Sequence, residues 1–286
     1  MSICRVAAMQ LKVSSELSAN MENLDTKLAG LMSGNAENAE NAERPDFVVL
    51  PEMFCCPYNA KLFPAFAEPE GGEVWQHLSG LAKEHGIYLV GGSVPECDSE
   101  GRIYNTCYIF DRKGRQIGKH RKMHMFDIAI KGRQSFRESD SVTPGDTVTV
   151  FDTEFGKAGA AICYDIRFPE LFRIMALQGA GIVFVPGAFN MTTGPAHWTL
   201  NFRLRAVDNQ YYMVGCSPSR NPDLGYVSYG HSIAADPWGN VLGELDEREG
   251  ILRADIDLAR MNSLREQLPL LKHRRPDIYR NYDQYL

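Results

Sequence analysis

The sequence predicts a layered α/β or α+β sandwich, and three observations carry that expectation. Apolar runs of strand length recur along the whole chain and alternate with amphipathic helical stretches. Two segments read as hairpins, which a barrel of eight regular βα units would not contain. No shift in composition divides the 286 residues, a length near the upper limit for one hydrophobic core, so a single domain over 1–286 is expected.

The elements follow in order. Ile3–Gln10 reads as a buried strand and Leu17–Met32 as a helix. Asp46–Leu50 is a short apolar strand stopped by Pro51. Glu73–His85 is a helix ended by Gly86, and Ile87–Val90 a strand. Ile103–Phe110 and Arg115–His120 flank a turn at Asp111–Gly114, and Ser232–Ala235 and Val241–Leu245 flank another at Pro237–Asn240. Between the hairpins, Lys157–Cys163 is a strand of small residues, and Pro169 opens a helix running to Gln178. Ile182–Val185 is a strand, Ala196–Asn209 a helix and Tyr211–Cys216 a strand.

Two stretches stand apart. Residues 35–43 repeat Asn-Ala-Glu, which is charged and poor in bulky side chains, so an exposed segment without a core role is expected. The tail, about residues 268–286, mixes basic residues with Tyr279, Tyr282 and Tyr285 and suits packing at a subunit or domain edge.

Composition excludes several classes of function. With 30 Lys and Arg against 36 Asp and Glu, the net charge of −6 disfavours sequence-independent nucleic-acid binding. No apolar run reaches about 18 residues, and the N-terminus shows no basic-then-apolar pattern, so neither a membrane span nor a signal peptide is expected. Seven scattered cysteines, an odd number, fit free thiols in a reducing, cytoplasmic compartment.

Three segments hold side chains suited to chemistry. Ala160-Ala161-Ile162-Cys163-Tyr164-Asp165 ends a small-residue strand at a cysteine, and a turn leads on to Pro169. Such an elbow exposes a nucleophile and leaves N–H groups to hold an oxyanion, and its field favours a thiolate; a buried structural cysteine is the plainer alternative. Glu52 follows a strand and a proline, where a turn more often holds Asp, Asn, Ser or Gly, so it reads as a proton carrier or as a surface glutamate. Lys122 lies in the basic run Lys119-His120-Arg121-Lys122-Met123-His124, either as part of a solvated face or pointing into a cleft to steady negative charge. His120 and His124 lack a nearby third ligand, so no metal is expected. Neither does a papain-like signature surround Cys163.

Taken together, Pro51-Glu52, Arg121-Lys122-Met123-His124 and the run Cys163-Tyr164-Asp165-Ile166-Arg167-Phe168-Pro169-Glu170 resemble the Glu, Lys and Cys motifs of the nitrilase (carbon–nitrogen hydrolase) superfamily. The separations, 70 residues from Glu52 to Lys122 and 41 from Lys122 to Cys163, make the set specific. Within the superfamily the chain resembles the ω-amidase branch, through His124-Met125-Phe126-Asp127, Phe136-Arg137-Glu138-Ser139, Pro186-Gly187-Ala188-Phe189-Asn190, Thr192–Trp198 and Arg205–Gln210. Tyr164-Asp165, where true nitrilases commonly carry Trp-Glu, favours an amide over a nitrile.

The resemblance implies a four-layer αββα sandwich with no cofactor, and subunits pairing as homodimers or higher oligomers through helices beside the site and C-terminal segments. It implies that Cys163 is the nucleophile, Glu52 the general base, and Lys122 with the Tyr164 N–H the oxyanion holders. Glu138 supports Lys122. The implied substrate is a short dicarboxylate monoamide such as 2-oxoglutaramate or 2-oxosuccinamate. Its free carboxylate would meet Arg167, with Thr193 adding a hydroxyl and Phe189 an apolar wall. For Arg167 the alternative is an ion pair with Asp165 or Glu170. The other readings are a deaminated-glutathione amidase or N-carbamoyl hydrolase of the same superfamily, and a catalytically silent scaffold.

Overall fold

The computed structural model describes residues 3–34, 43–131 and 134–279. Most of the Asn-Ala-Glu repeat, together with Tyr282 and Tyr285, lies outside the described residues. In chain order the elements are β1 (Cys4–Gln10), α1 (Leu17–Met32), β2 (Phe47–Val49), α2 (Phe63–Phe66), α3 (Glu73–His85), β3 (Tyr88–Val90), β4 (Val94–Cys97), β5 (Ile103–Phe110), β6 (Gln116–Arg121), β7 (Asp127–Ile130), β8 (Gln134–Arg137), β9 (Thr149–Thr153), β10 (Gly156–Ala160), α4 (Pro169–Leu177), β11 (Ile182–Pro186), α5 (Gly194–Asn209), β12 (Tyr212–Cys216), β13 (Ile233–Ala235), β14 (Val241–Glu244), β15 (Gly250–Ile256), α6 (Leu258–Gln267) and α7 (Pro276–Tyr279).

Two sheets form the centre. One runs β15-β1-β2-β3-β5-β4, with β6 also paired to β5, and the other β14-β13-β12-β11-β10-β9. β1, β2 and β3 are mutually parallel, as are β10, β11 and β12. Parallel strands point the same ends of both sheets toward one rim, where α/β folds place their sites.

Alternation along the strands builds the layers. Val6, Ala8, Phe47 and Val49 join Ala160, Phe184 and Val214 in the core between the sheets. Across it, the rings of Phe47 and Phe184 stack 5.1 Å apart. The neighbouring residues Ala7, Met9 and Val48 face the other way, against Leu24, Leu28 and Leu31 of α1 and Leu78 of α3. On the second sheet, α4 and α5 cover the outer face through Phe172, Met175, Trp198 and Phe202. Gly215 lets α5 lie this close, since a Cβ there would stand 2.4 Å from the Phe202 ring. The order of layers is helix, sheet, sheet, helix, the expected αββα sandwich.

Three local differences have physical reasons. The strand expected over Lys157–Cys163 stops at Ala160, because Cys163–Arg167 winds into one 3₁₀ turn. The helix expected from Ala196 starts at Gly194, where Pro195 lacks only an N–H that a first turn leaves unused. Strands β4, β9 and β15 escaped the sequence pattern; β4 is only four residues and carries Pro95 and Glu96. Among the described residues no helix is long and apolar enough to cross a membrane.

Candidate active site

Glu52, Lys122 and Cys163 meet at the common rim of the two sheets. Glu52 follows β2 by three residues, Lys122 directly follows β6, and Cys163 follows β10 by three. Backbone geometry sets each position. Cys163 has φ 48° and Met53, next to Glu52, φ 51°, the left-handed region that non-glycine residues seldom occupy. For Cys163 this is the sharp turn of an elbow, which directs its side chain away from the strand line. Lys122 is anchored at both backbone groups, its N–H donating to Asn105 O at 2.8 Å and its carbonyl accepting from Gly145 N at 2.8 Å.

The charged centre is buried. Lys122 Nζ stands 3.0 Å from Oε1 of Glu52 and 2.8 Å from Oε2 of Glu138, with all three side chains fully buried. Tyr58 Oη lies 3.2 Å from Lys122 Nζ, and Asn105 Nδ2 donates to Oε1 of Glu52 at 2.9 Å. The Ala188 N–H at the end of β11 donates to Oε2 of Glu52 at 2.7 Å, and the Phe126 N–H to Oε2 of Glu138 at 2.8 Å. The Cys163 thiol is buried where the charges of Glu52 and Lys122 both act on it.

These contacts settle how the protons are held. Burial alone would depress the Lys122 ammonium, but Glu138 and Glu52 beside it lift it above the ordinary lysine range, so it is a permanent cation. Burial raises Glu138, with Lys122 pulling the other way and Glu52 adding to the rise. Burial and the charge of Glu52 push the Cys163 thiol well above its ordinary value. That corrects the expectation of a field favouring thiolate: the elbow's N–H groups and Lys122 do not outweigh desolvation and a facing carboxylate. The resting group is a thiol, and a base must take its proton as it attacks.

A fully buried aspartate joins the turn of Cys163 to the strand that leads into Lys122. Asp165 accepts from the Ile162 N–H at 3.0 Å, from the Met123 and His124 N–H groups at 3.2 and 2.9 Å, and lies 2.9 Å from His120 Nε2 and 2.8 Å from His124 Nδ1. The two histidines that resemble a ligand pair therefore bracket a carboxylate, and one of Arg167's two expected ion-pair partners is engaged by them. From behind, Arg205 of α5 donates to the carbonyls of Ile166 and Arg167 at 2.9 and 3.3 Å, fixing the same turn.

The remaining expected residues line one side. Arg167 lies 5.0 Å over the Phe189 ring and 5.5 Å from that of Tyr164, and its Nη1 is 3.1 Å from His197 Nδ1. Phe189 packs edge-on against Trp198. Thr193 is buried, but its hydroxyl donates to Asn190 Oδ1 at 3.1 Å, which commits the proton that a substrate would need. Tyr58, Asn105, Asp165, Tyr226 and the Ala188 N–H were missed from the sequence. Asn105 left a signal, a polar amide inside the apolar strand Ile103–Phe110, whereas Tyr226 sits in a loop with no pattern to mark it.

Chemically the arrangement is a buried thiol, a buried carboxylate and a fixed cation gathered at one rim. The profile of the carbon–nitrogen hydrolase family matches residues 5–266, and the chain belongs to that family, whose members are enzymes. It is similar to omega-amidase NIT2 of Mus musculus, 47% identical over 279 residues that cover 98% of each chain. The Homo sapiens omega-amidase NIT2 is 44% identical with the same coverage. Among solved structures, Saccharomyces cerevisiae Nit3, a nitrilase-superfamily member, superposes with a TM-score of 0.85 at 41% identity, covering 96% of this chain and 97% of that one.

Proposed function

We propose that this chain is an ω-amidase, hydrolysing the terminal amide of short dicarboxylate monoamides such as 2-oxoglutaramate and 2-oxosuccinamate to the dicarboxylic acid and ammonia. The observation that carries the reading is the fully buried Glu52 carboxylate, 3.0 Å from the Lys122 ammonium, with both charges acting on the buried Cys163 thiol. Glu52 takes the thiol proton while sulfur attacks the amide carbon. Lys122 and the Tyr164 N–H stabilise the tetrahedral oxyanion. Collapse breaks the C–N bond, Glu52 returns the proton to the leaving nitrogen, and ammonia departs from a thioester. Glu52 then deprotonates a water that attacks the thioester, and the second collapse releases the acid and restores the thiol. Glu138 holds Lys122 in place throughout.

Arg167, four residues after Cys163 in the same turn and lying over the Phe189 ring, is the residue we assign to the substrate's free carboxylate. Like subunits would pair beside the site, since Ile174, Leu177, Leu200, Leu204 and Val207 leave α4 and α5 apolar and exposed. The tail from about 268 would add to the pairing, its Leu268, Ile278 and Tyr279 being exposed. A reducing, cytoplasmic compartment suits seven cysteines that are all free thiols.

Ammonia release from 2-oxoglutaramate, set beside an uncharged short amide, a deaminated peptide amide and an N-carbamoyl compound, tests the assignment. The highest kcat/KM is expected for 2-oxoglutaramate; a preference for either of the last two would replace it.

A further inference from the structure

We infer that His197 is a positioning residue for Arg167, holding the guanidinium so that its Nε edge meets the substrate's carboxylate; this rests on the assignment of Arg167 to that carboxylate. Three observations fix the pose. Arg167 Nη1 lies 3.1 Å from His197 Nδ1. The rings of Phe189 and Tyr164, 5.0 and 5.5 Å from its Cζ, confine the planar group. The Nε atom is buried and has no hydrogen-bond partner.

Arginine can only donate, so His197 Nδ1 must present a lone pair. The imidazole is therefore neutral, with its hydrogen on Nε2. Burial and the facing guanidinium both push the His197 ring below its ordinary value, which favours the same form. His197 is itself held on the first turn of α5, its N–H donating to Thr193 O at 2.9 Å. With Nη1 fixed, rotation about the last bonds of Arg167 is blocked. A buried N–H without an acceptor is costly, and a carboxylate oxygen satisfies it with a charge-assisted bond. The Nε edge, with Nη2 beside it, is the side-on fork that engages a carboxylate bidentately. Arg167 closes the same short turn, Cys163–Arg167, that Cys163 opens, so the fork and the sulfur are carried by one rigid segment.

The test compares His197→Leu with His197→Asn. Asparagine places Oδ1 on the same carbon that carries Nδ1 in histidine, so it restores the acceptor, whereas leucine keeps bulk alone. His197→Leu is expected to raise KM for 2-oxoglutaramate about tenfold more than KM for butyramide, and His197→Asn to recover most of that difference. Equal factors for the two substrates in His197→Leu, or an asparagine variant as selective in its loss as the leucine one, would overturn the inference. Arg167→Ala separates the two layers of the proposal. If it fails to discriminate between the substrates, the carboxylate assignment falls and this inference with it; if Arg167→Ala discriminates and His197→Leu does not, only the role of His197 falls. Nitrogen NMR of the intact protein at pH 7 gives a readout apart from turnover: an unprotonated Nδ1 is expected at His197, and a protonated one would overturn the pose.

Discussion

Glu52 and Glu138 share one cation: Lys122 Nζ lies 3.0 Å from the Oε1 atom of each, and all three side chains are fully buried. Two buried carboxylates this close repel, and the ammonium between them makes the arrangement tolerable. The same ammonium that would steady the reaction's oxyanion therefore also holds the resting site together. Glu138, the second carboxylate on that ammonium, takes part in that second task.

Lys122→Met should lose both. Removing one partner from a buried ionic cluster costs about 3–5 kcal/mol, because the remaining charges are left uncompensated. Urea unfolding should show a loss of that size, and kcat should fall by about 10² or more. A variant with wild-type stability would mean that Glu138 and Glu52 are not both charged in the resting protein.

For Cys163→Ala the expectation is the reverse: no ammonia release above background and a urea midpoint close to the parent's. The buried thiol is small, so little packing is lost with it. Near-normal turnover in a pure preparation would remove Cys163 from the nucleophile's role.

Glu52→Gln keeps the shape of the side chain and its place beside Lys122 but cannot accept a proton. Because the Cys163 thiol is pushed well above its ordinary value, it cannot ionise unaided at neutral pH. A fall in kcat of about 10²–10⁴ is expected, with turnover rising again toward alkaline pH as hydroxide replaces the base. Loss of rate without any alkaline recovery would point to a positioning role instead.

Asp165 supplies a pH dependence whose sign follows from its bonds. Burial alone would raise this carboxyl, yet His120 and His124 hold it below the usual aspartate range. A depressed folded value stabilises the protein above the unfolded value of about 3.9, and that contribution disappears as pH falls toward the folded one. Between pH 5 and 2 the native protein should lose stability more steeply than Asp165→Asn, as measured by urea midpoints across about that range. Parallel curves would show that Asp165 is not the group titrating.

Gly92→Ala should perturb the site from behind. Gly92 has φ +59°, and a Cβ there would lie 2.2 Å from the carbonyl oxygen of Pro51, immediately before Glu52. Displacement of that backbone should cost about 1–3 kcal/mol and lower kcat more than it raises KM. A variant with unaltered kcat would show that Glu52 tolerates movement of its turn.

Much of this was legible in the sequence because periodicity reports burial directly. Leu17–Met32 and Glu73–His85 are found within the bounds that their spacing and the Gly86 stop predict. The strands β4 and β9 were not, since short edge strands carry too few residues to show a period. The positions of Glu52, Lys122 and Cys163 were readable from motif order, which local propensity could not have supplied. What no one-dimensional pattern carries is the second ring of contacts. Tyr58, Asn105 and the Ala188 N–H act through distances between residues 40 or more positions apart, set by strand order within the first sheet and, for Ala188, by how one sheet lies on the other. The hydroxyl of Thr193 illustrates the converse, a residue expected to meet substrate whose proton a neighbouring asparagine side chain has already claimed.

Among the bonds that cross between the sheets at the rim is one from the Ala188 N–H after β11 to the carboxylate of Glu52 after β2. Turnover thus gauges the alignment of two separately hydrogen-bonded slabs. Warming that lets them slip by an ångström would silence the chemistry while every strand ladder stayed intact, so loss of activity should precede loss of circular dichroism.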